Sequence, residues 1–576
     1  MTNKAKQWYL SAKYGIYMTL SYEGYDRNPV PRRYVDKCGV FSDGRMPKNI
    51  NDIADAFDVG YFCDFCRDIG VEYVNFTLYH AHMYMLCPNE ALDRWLPGHT
   101  SRRDVVRELL DGLHGYGIKL QLYIHSTVGD TMTDDEREAT GYNDGSNGYL
   151  TWNNFVNEVF DCLTKRYGND MDSYYIDMIF DEPFMHMIDI PRLRSVFDKN
   201  CPDTVITGNG EANDLVDFSS REDCSVYVRS EFNRYSTAVQ HVILLPNHKD
   251  KAWWSTVPES HENVVEYSPE HLYRAIVLNA GSNTCGGGVA FGFGPYCDRG
   301  FEPGVEQSMR ALRDLIGPVA ESIRKTLPSR SWVTPSGIRI VDLDGGFTAV
   351  TSQDGKYEYL HVLCPGRTGS LNLRKPLDGR KFGNPVNLRN GESPGFAEKT
   401  DGGYVISGIK WDPLDTVIRL EVTEQSENTV CTSEILPNGF VTAAADSEAE
   451  GFAAGNLVDG DGNTFWMSKS GNIHSVVFTL DKIRKICGLN IIPVNSTAPE
   501  MLVRHIAVYS VFVSEDGRNW RAVATGEMKR STAVKQICFP PVECRYIRLQ
   551  CGPDWFIGYE HKVDAASSVE IIEVKG

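Results

Sequence analysis

No stretch of this 576-residue chain reaches the ~18 consecutive apolar residues that a membrane span needs, so no span is expected. Runs of basic residues are also missing, and the net charge is −19. Nucleic acid binds through clustered Lys and Arg that displace counterions, so a nucleic-acid partner is not expected. The opening MTNKAKQWYL has no apolar run of the signal-peptide kind. The expectation is a cytoplasmic protein, or one exported with its signal removed. The oligomeric state is not written in the pattern.

A Gly-rich phosphate loop is absent too. YGIYMTLSYEG, around the first apolar run, has no GxGxxG, which argues against a doubly wound nucleotide-binding sheet. The 15 Cys residues are an odd count scattered through apolar segments, as with Cys162, Cys364 and Cys487. That is the pattern of buried reduced thiols rather than of a disulfide framework. Cys63 and Cys66 form a CxxC, but no second pair completes a zinc set. Phe62, Phe65, Cys66 and Ile69 fall on one helical face, which makes the pair core material.

What is there is alternation. Over the first ~325 residues, short apolar runs alternate with amphipathic stretches. Strands are expected at Tyr14–Leu20, Val71–Leu78, Ile118–His125, Tyr174–Phe180, Asp203–Thr207, the WW segment Lys251–Ser255, and Gly288–Phe293. Helices are expected at Val59–Ile69, Arg102–His114, Trp152–Leu163, Pro269–Ala280 and a last one running from Val305 towards Ile323. Strand–helix repetition means parallel strands with crossover helices, and the length suits a (β/α)8 TIM barrel. After Pro328 and Pro335 the texture becomes short strands and turns. The expected division is a barrel over residues 1–328, a β-sandwich over 329–425, and a third, all-β block over 431–576.

Barrel active sites lie where strands run out. In YYIDMIFDEPF the period of two puts Tyr175, Asp177, Ile179 and Asp181 on one face, with Asp181 at the exit. A carboxylate there serves as nucleophile, acid/base or metal ligand, or it caps the next helix. The second strand ends in His80 and His82, two apart, and the third in His125. Three imidazoles at neighbouring exits hold a metal or hydrogen-bond a sugar. With Asp181 they make a metal-dependent hydrolase a competing reading. Glu211, Glu222 and Glu231 follow as possible second carboxylates. Tyr22, Trp95, Trp253 and Trp254 are candidate sugar-stacking faces.

These residues resemble a known family. AKYGIY, YVNFTLYH, TSRRDVVRELLDGLHGYGIKLQLY, IFDE and GVAFGFGPYCDRGFEP occur in the order and spacing of glycoside hydrolase family 29, the α-L-fucosidases. The resemblance covers the first ~425 residues. It implies an exo-acting retaining α-glycosidase acting on a terminal fucose or related sugar of a glycan, with no cofactor for catalysis. It makes Asp181 the nucleophile and Glu222 the acid/base, with Glu211 and Glu231 in reserve. Where the family has His-Trp-Gly after its first strand, this chain has Thr19, Leu20 and Ser21. The paired histidines read His80 and Ala81, the third-strand tyrosine reads Ile124, and the tryptophan before the nucleophile reads Ile179. His82 and His125 then stand as replacement sugar contacts, beside His80, Tyr22 and Trp254. An altered sugar grip also leaves open a barrel that binds glycan without cleaving it.

The third block resembles a discoidin, or coagulation-factor C-type, domain, the fold of family 32 carbohydrate-binding modules. The matching stretches are AAGNLVDGDGNTFW, VVFTLDKI, YSVFVSEDGRNWRAVATGE, CRYIRLQC and SSVEIIEV. The resemblance implies a structural Ca²⁺ on Asp459, Thr464 and Glu570. It also implies glycan contacts on loops, with Trp555 as one guess.

Overall fold

The computed structural model describes residues 4–22, 39–80, 82–125, 132–142, 144–177, 187–209, 215–222, 240–244, 265–281, 286–334, 346–364, 368–425, 433–471, 473–496, 501, 504–528, 532–552 and 563–575. The chain forms two compact units. One comprises residues 1–226, 240–273 and 288–315; the other comprises 227–239, 274–287 and 316–576. Among the described residues no helix is long and apolar enough to cross a membrane.

The first unit holds a closed parallel barrel of eight strands in chain order: β1 Tyr14–Met18, β2 Tyr73–Tyr79, β3 Lys119–Ile124, β4 Ser173–Ile176, β5 Val205–Asn209, β6 Phe218–Glu222, β7 Gln240–Leu244 and β8 Gly288–Phe293. Crossover helices form because their sequences mark both ends. In Val59–Ile69 the Asp58 side chain accepts the Tyr61 N–H at 2.9 Å, and Gly70 ends the helix at φ 70°. In Val105–Gly115 Asp104 does the same for the Arg107 N–H. Each helix buries its apolar face, Val59, Phe62, Phe65 and Ile69 in the first and Val105, Leu109, Leu110 and Leu113 in the second. Cys63 and Cys66 lie on that buried face, and burial pushes the Cys63 thiol up to about 12. They are core residues, as the helical spacing implies.

Two of the eight strands are not among those expected from the sequence. FSSRE (β6) has one apolar residue, so neither a period of two nor an apolar run marks it. QHVIL (β7) carries an apolar run that stops before Pro246 and Asn247, yet it is absent from the expected strands. The WW segment taken as a strand lies outside the described residues.

Inside the barrel, strand register stacks side chains in layers. Tyr17 pairs with Asn75, Asn75 with Gln121 and Gln121 with Ser173, while Tyr123 pairs with Tyr175. Asn75 Nδ2 donates to Gln121 Oε1 at 3.0 Å, and Gln121 Nε2 to Ser173 Oγ at 2.9 Å, which links three strands through buried side chains. Gly15 has no room for a side chain, because a Cβ there would sit 2.4 Å from the Tyr73 ring. The N-terminal segment closes the floor. Trp8 packs on the inner cluster of Tyr17, Tyr73, Tyr123 and Tyr175. Tyr9 stacks on Phe218 at 5.3 Å, and Lys6 pairs with Asp217 at 2.7 Å. Access to the barrel interior therefore lies at the C-terminal ends of the strands.

The second unit holds a five-stranded sheet in the order Lys381–Asn387, Thr416–Glu424, Tyr357–Val362, Thr348–Ser352, Thr326–Pro328. A three-stranded sheet, Ser370–Leu373, Tyr404–Ser407 and Gly395–Glu398, shares a core with it, including Trp332, Leu360, Leu371, Phe382, Ile406 and Ile418. The C-terminal part is β-rich. Its long strands His474–Ile492 and Lys535–Cys551 pair antiparallel through register shifts that bend them around a core centred on Trp466. Trp466 is fully buried, and its Nε1 donates to Ser447 O at 3.0 Å.

Glu358 is a buried acid in the five-stranded sheet, 3.0 Å from Arg380 Nη2. Burial pushes its carboxyl up to about 7, against the pull of Arg380. Between the ordinary 4.5 and about 7 the folded state keeps a proton that the unfolded chain has lost. The stabilisation is complete below 4.5 and gone once pH has risen through 7. Stability of this unit should fall by on the order of 2–3 kcal/mol across that window. Glu358→Gln should lose this slope. Denaturant unfolding at pH 5 and pH 8 checks it, and equal slopes in both proteins would refute the assignment.

Candidate active site

At the C-terminal mouth the strands deliver a compact polar cluster. On β3, alternation turns Tyr123 inward, and Ile124 is fully buried beside it. His125 follows, its backbone N–H donating to Tyr79 O at 3.4 Å. On β4, Tyr175 is inward and fully buried, with its ring 5.5 Å from Tyr123 and 5.9 Å from Tyr17. The next inward position is Asp177. Its N–H donates to Ile124 O at 2.9 Å, which carries the ladder one residue past the strand. Its carboxylate accepts the Tyr123 hydroxyl. The carboxylate is almost wholly shielded, the residue being 5% exposed.

The His80 ring lies nearly parallel to Tyr123, 6.2 Å away at 12°, and 4.4 Å from the His125 ring. The structure thus brings His80 and His125 together. His82 is different, because the strand ends at Tyr79 and its period of two ends with it. Met83 N–H donates to His80 O at 2.9 Å, closing a turn with Met83 at φ 61°. His82 is buried within that turn. Among the described residues no group of three or more His, Cys, Asp or Glu is arranged to hold a metal ion.

Tyr22 is buried, its ring edge-on to Tyr84 at 4.8 Å and its hydroxyl donated to Lys48 O at 2.6 Å. Trp95 lies on a helix of the outer ring, where it packs on Phe155 and donates to Glu158 Oε2. Its described contacts are those of helix packing. Glu222 is the last residue of β6, in register with Val242 of β7. The sequence offers no strand there; the backbone places it at a strand's C-terminal end. Asp181, Glu211, Glu231, Trp253, Trp254 and Trp555 lie outside the described residues.

The sequence reading passed over Tyr123 and Asp177. Asp177 was on the inward face by alternation, but Asp181, at the apparent exit, drew the attention. β4 in fact ends at Ile176 among the described residues, so Asp177 already stands at the mouth.

In the C-terminal domain, Thr464 Oγ1 donates to Asp459 Oδ2 at 2.7 Å, and Asp459 Oδ1 accepts the Asp461 N–H at 2.8 Å. Glu570 Oε2 accepts from Asn490 Nδ2 at 2.9 Å. Ser568, two residues before Glu570, donates to Leu457 O at 3.1 Å, which ties that strand to the segment leading into Asp459.

The F5/8 type C domain family matches residues 441–560, so the chain carries such a domain. A sialidase from Micromonospora viridifaciens is 32% identical over 117 residues, 19% of this chain and 18% of the sialidase. The chain therefore spans under a fifth of that relative's length. An α-L-fucosidase of glycoside hydrolase family 29 from Bacteroides thetaiotaomicron superposes with a TM-score of 0.51 at 15% identity, covering 75% of this chain and 97% of that one. A bacterial fucosidase bound to a dihydroxy-methylpyrrolidine inhibitor gives 0.52, also at 15% identity, with the same coverage. At such identity the likeness is one of fold.

Proposed function

We propose that the protein is an exo-acting retaining α-glycosidase, acting on a terminal fucose or a related sugar of a glycan. The observation that carries this reading is the gathering of His80, His125, Asp177 and Glu222 at the C-terminal ends of four barrel strands, in a barrel with the fucosidase fold. Asp181 follows four residues after Asp177 in sequence. Its carboxylate attacks the anomeric carbon as the glycosidic C–O bond breaks, and Glu222 gives its proton to the leaving oxygen. Glu222 then takes a proton from water, which displaces Asp181 and frees the sugar. The two carboxyls of a retaining pair stand roughly 5–5.5 Å apart. His80, His82, His125, Tyr22 and Trp254 are assigned to sugar recognition, and catalysis needs no cofactor.

The test begins with a panel of 4-nitrophenyl α- and β-glycosides. A 2-fluoro glycosyl fluoride of the preferred sugar should then label the protein once, at Asp181, as peptide mass spectrometry will read. Label on another carboxylate, or a chain that binds glycan and turns nothing over, defeats the reading.

The C-terminal domain is assigned to glycan binding, which raises the effective substrate concentration at the barrel. Asp459, Thr464 and Glu570 are assigned to a Ca²⁺ site, since side-chain oxygens of this kind suit a hard cation. A bound ion stabilises only the folded domain, by about 2.7 kcal/mol at a hundredfold excess over Kd. EGTA should therefore lower its melting temperature by several degrees, Ca²⁺ should restore it, and Asp459→Ala should abolish the response. A melting temperature indifferent to EGTA removes the ion from the account.

A further inference from the structure

We infer that Thr19 is a specificity-determining residue of the barrel mouth, its side-chain hydroxyl sharing a hydrogen bond with one hydroxyl of the bound sugar. The inference rests on the glycosidase reading and adds a residue to which that reading gives no role.

Three observations support it. The first is position. β1 ends at Met18, and Tyr17 faces inward, its ring 5.6 Å from Tyr123 and 5.9 Å from Tyr175. Thr19 is the next inward position by alternation, directly past the strand's C-terminal end. Leu20 turns the other way, against Gly39, where an added Cβ would meet its Cδ1 at 2.8 Å. A side chain placed there is set by the barrel strand, which is how a recognition group is made rigid. It also stands at the end where barrels hold their substrates.

The second is an unpaired hydroxyl. Thr19 is 3% exposed, and its Oγ1 has no hydrogen-bond partner among the described residues. Buried hydroxyls are normally paired, so one that is not needs a reason. Thr77, inward on the neighbouring β2, shows the ordinary case, because its hydroxyl donates to Met18 O at 3.0 Å. Valine has nearly the shape of threonine, suits extended backbone equally and leaves nothing unpaired. A threonine kept in its place at a cost to stability points to a partner that arrives with the ligand.

The third is the neighbouring strand. β1 pairs with β8, Tyr17 opposite Gly292 and Met18 opposite Phe293. Ala290 belongs to the inner cluster, so alternation gives the next inward positions to Gly292 and Gly294. Neither carries a side chain, so β8 turns bare backbone towards the mouth beside Thr19. Glycine within a strand marks a place where something else approaches closely. A threonine hydroxyl donates one hydrogen and accepts on two lone pairs, so it matches a sugar hydroxyl in either sense.

The experiment compares wild type, Thr19→Val, Thr19→Ala and Thr19→Ser on the best 4-nitrophenyl glycoside of the panel and on its monodeoxy analogues. Thr19→Val should lower kcat/KM on the parent glycoside about tenfold. On the one analogue lacking the bonded hydroxyl it should match wild type within about twofold. Thr19→Ser keeps the hydroxyl and should stay within about threefold of wild type on the parent. The melting temperature of Thr19→Val should rise by about 2–4 °C, because the unpaired buried hydroxyl is gone. A structural role would instead lower the melting temperature and the rate on every substrate alike. Thr19→Ala removes the same hydroxyl and should show the same substrate pattern, so it carries the test if Thr19→Val does not fold. Uniform loss, or none, with Asp181 still labelled in the wild type, overturns this inference alone. A wild type inactive on the whole panel overturns it together with the glycosidase reading.

Discussion

Asp181→Asn is expected to lower kcat by about 10⁴-fold or more on any glycoside the wild type cleaves, with the melting temperature little changed. The size follows from what is removed. An amide cannot form the glycosyl ester, so the barrier rises by about 1.36 kcal/mol for each tenfold lost, or roughly 5 kcal/mol. Asp181→Ala should behave the same way but leave a space at the anomeric carbon. Azide can enter that space and attack from the nucleophile's side, giving a glycosyl azide of inverted anomeric configuration. NMR of that product distinguishes a missing nucleophile from a damaged fold. Activity within tenfold of wild type in either variant would remove Asp181 from the chemistry.

The effect of Glu222→Gln should depend on the leaving group. An acid/base residue contributes about 10²–10⁴-fold through proton transfer. Nitrophenolate leaves with little help, so formation of the glycosyl-enzyme should be nearly normal on the aryl glycoside. The second step still needs a base, so intermediate should accumulate and give a burst of nitrophenol. A natural glycan has a poor leaving oxygen and should show the full loss in the first step. The wild type requires Glu222 protonated for that step, so its rate should fall at alkaline pH; Gln cannot lose a proton, and that limb should vanish. If Glu211→Gln or Glu231→Gln shows this pattern instead, the acid/base assignment moves to that residue.

Most of the barrel could be read without coordinates, for a simple reason. Helices such as Val59–Ile69 carry their caps and their apolar stripe in local sequence, and strands such as Gly288–Phe293 are continuous apolar runs. β6 could not be read, because FSSRE is a strand only by virtue of the pairing offered by Thr207–Asn209 and by β7. His82 marks a limit of the pattern, since β2 ends at Tyr79 and the period of two does not carry on to it. Alternation is a property of extended backbone, and the turn at His80–Met83 ends it.

The sequence by itself determined the class of fold, the β-rich C-terminal domain and the inward parity of Tyr175 and Asp177, since each depends on local periodicity or on contiguous motif residues. The tertiary structure alone decided that Tyr123 holds Asp177, that the His80 and His125 rings come together, and that Glu222 ends a barrel strand. Those are relations between residues from different strands. They arise from register, bulge and barrel closure, which no local stretch of sequence encodes.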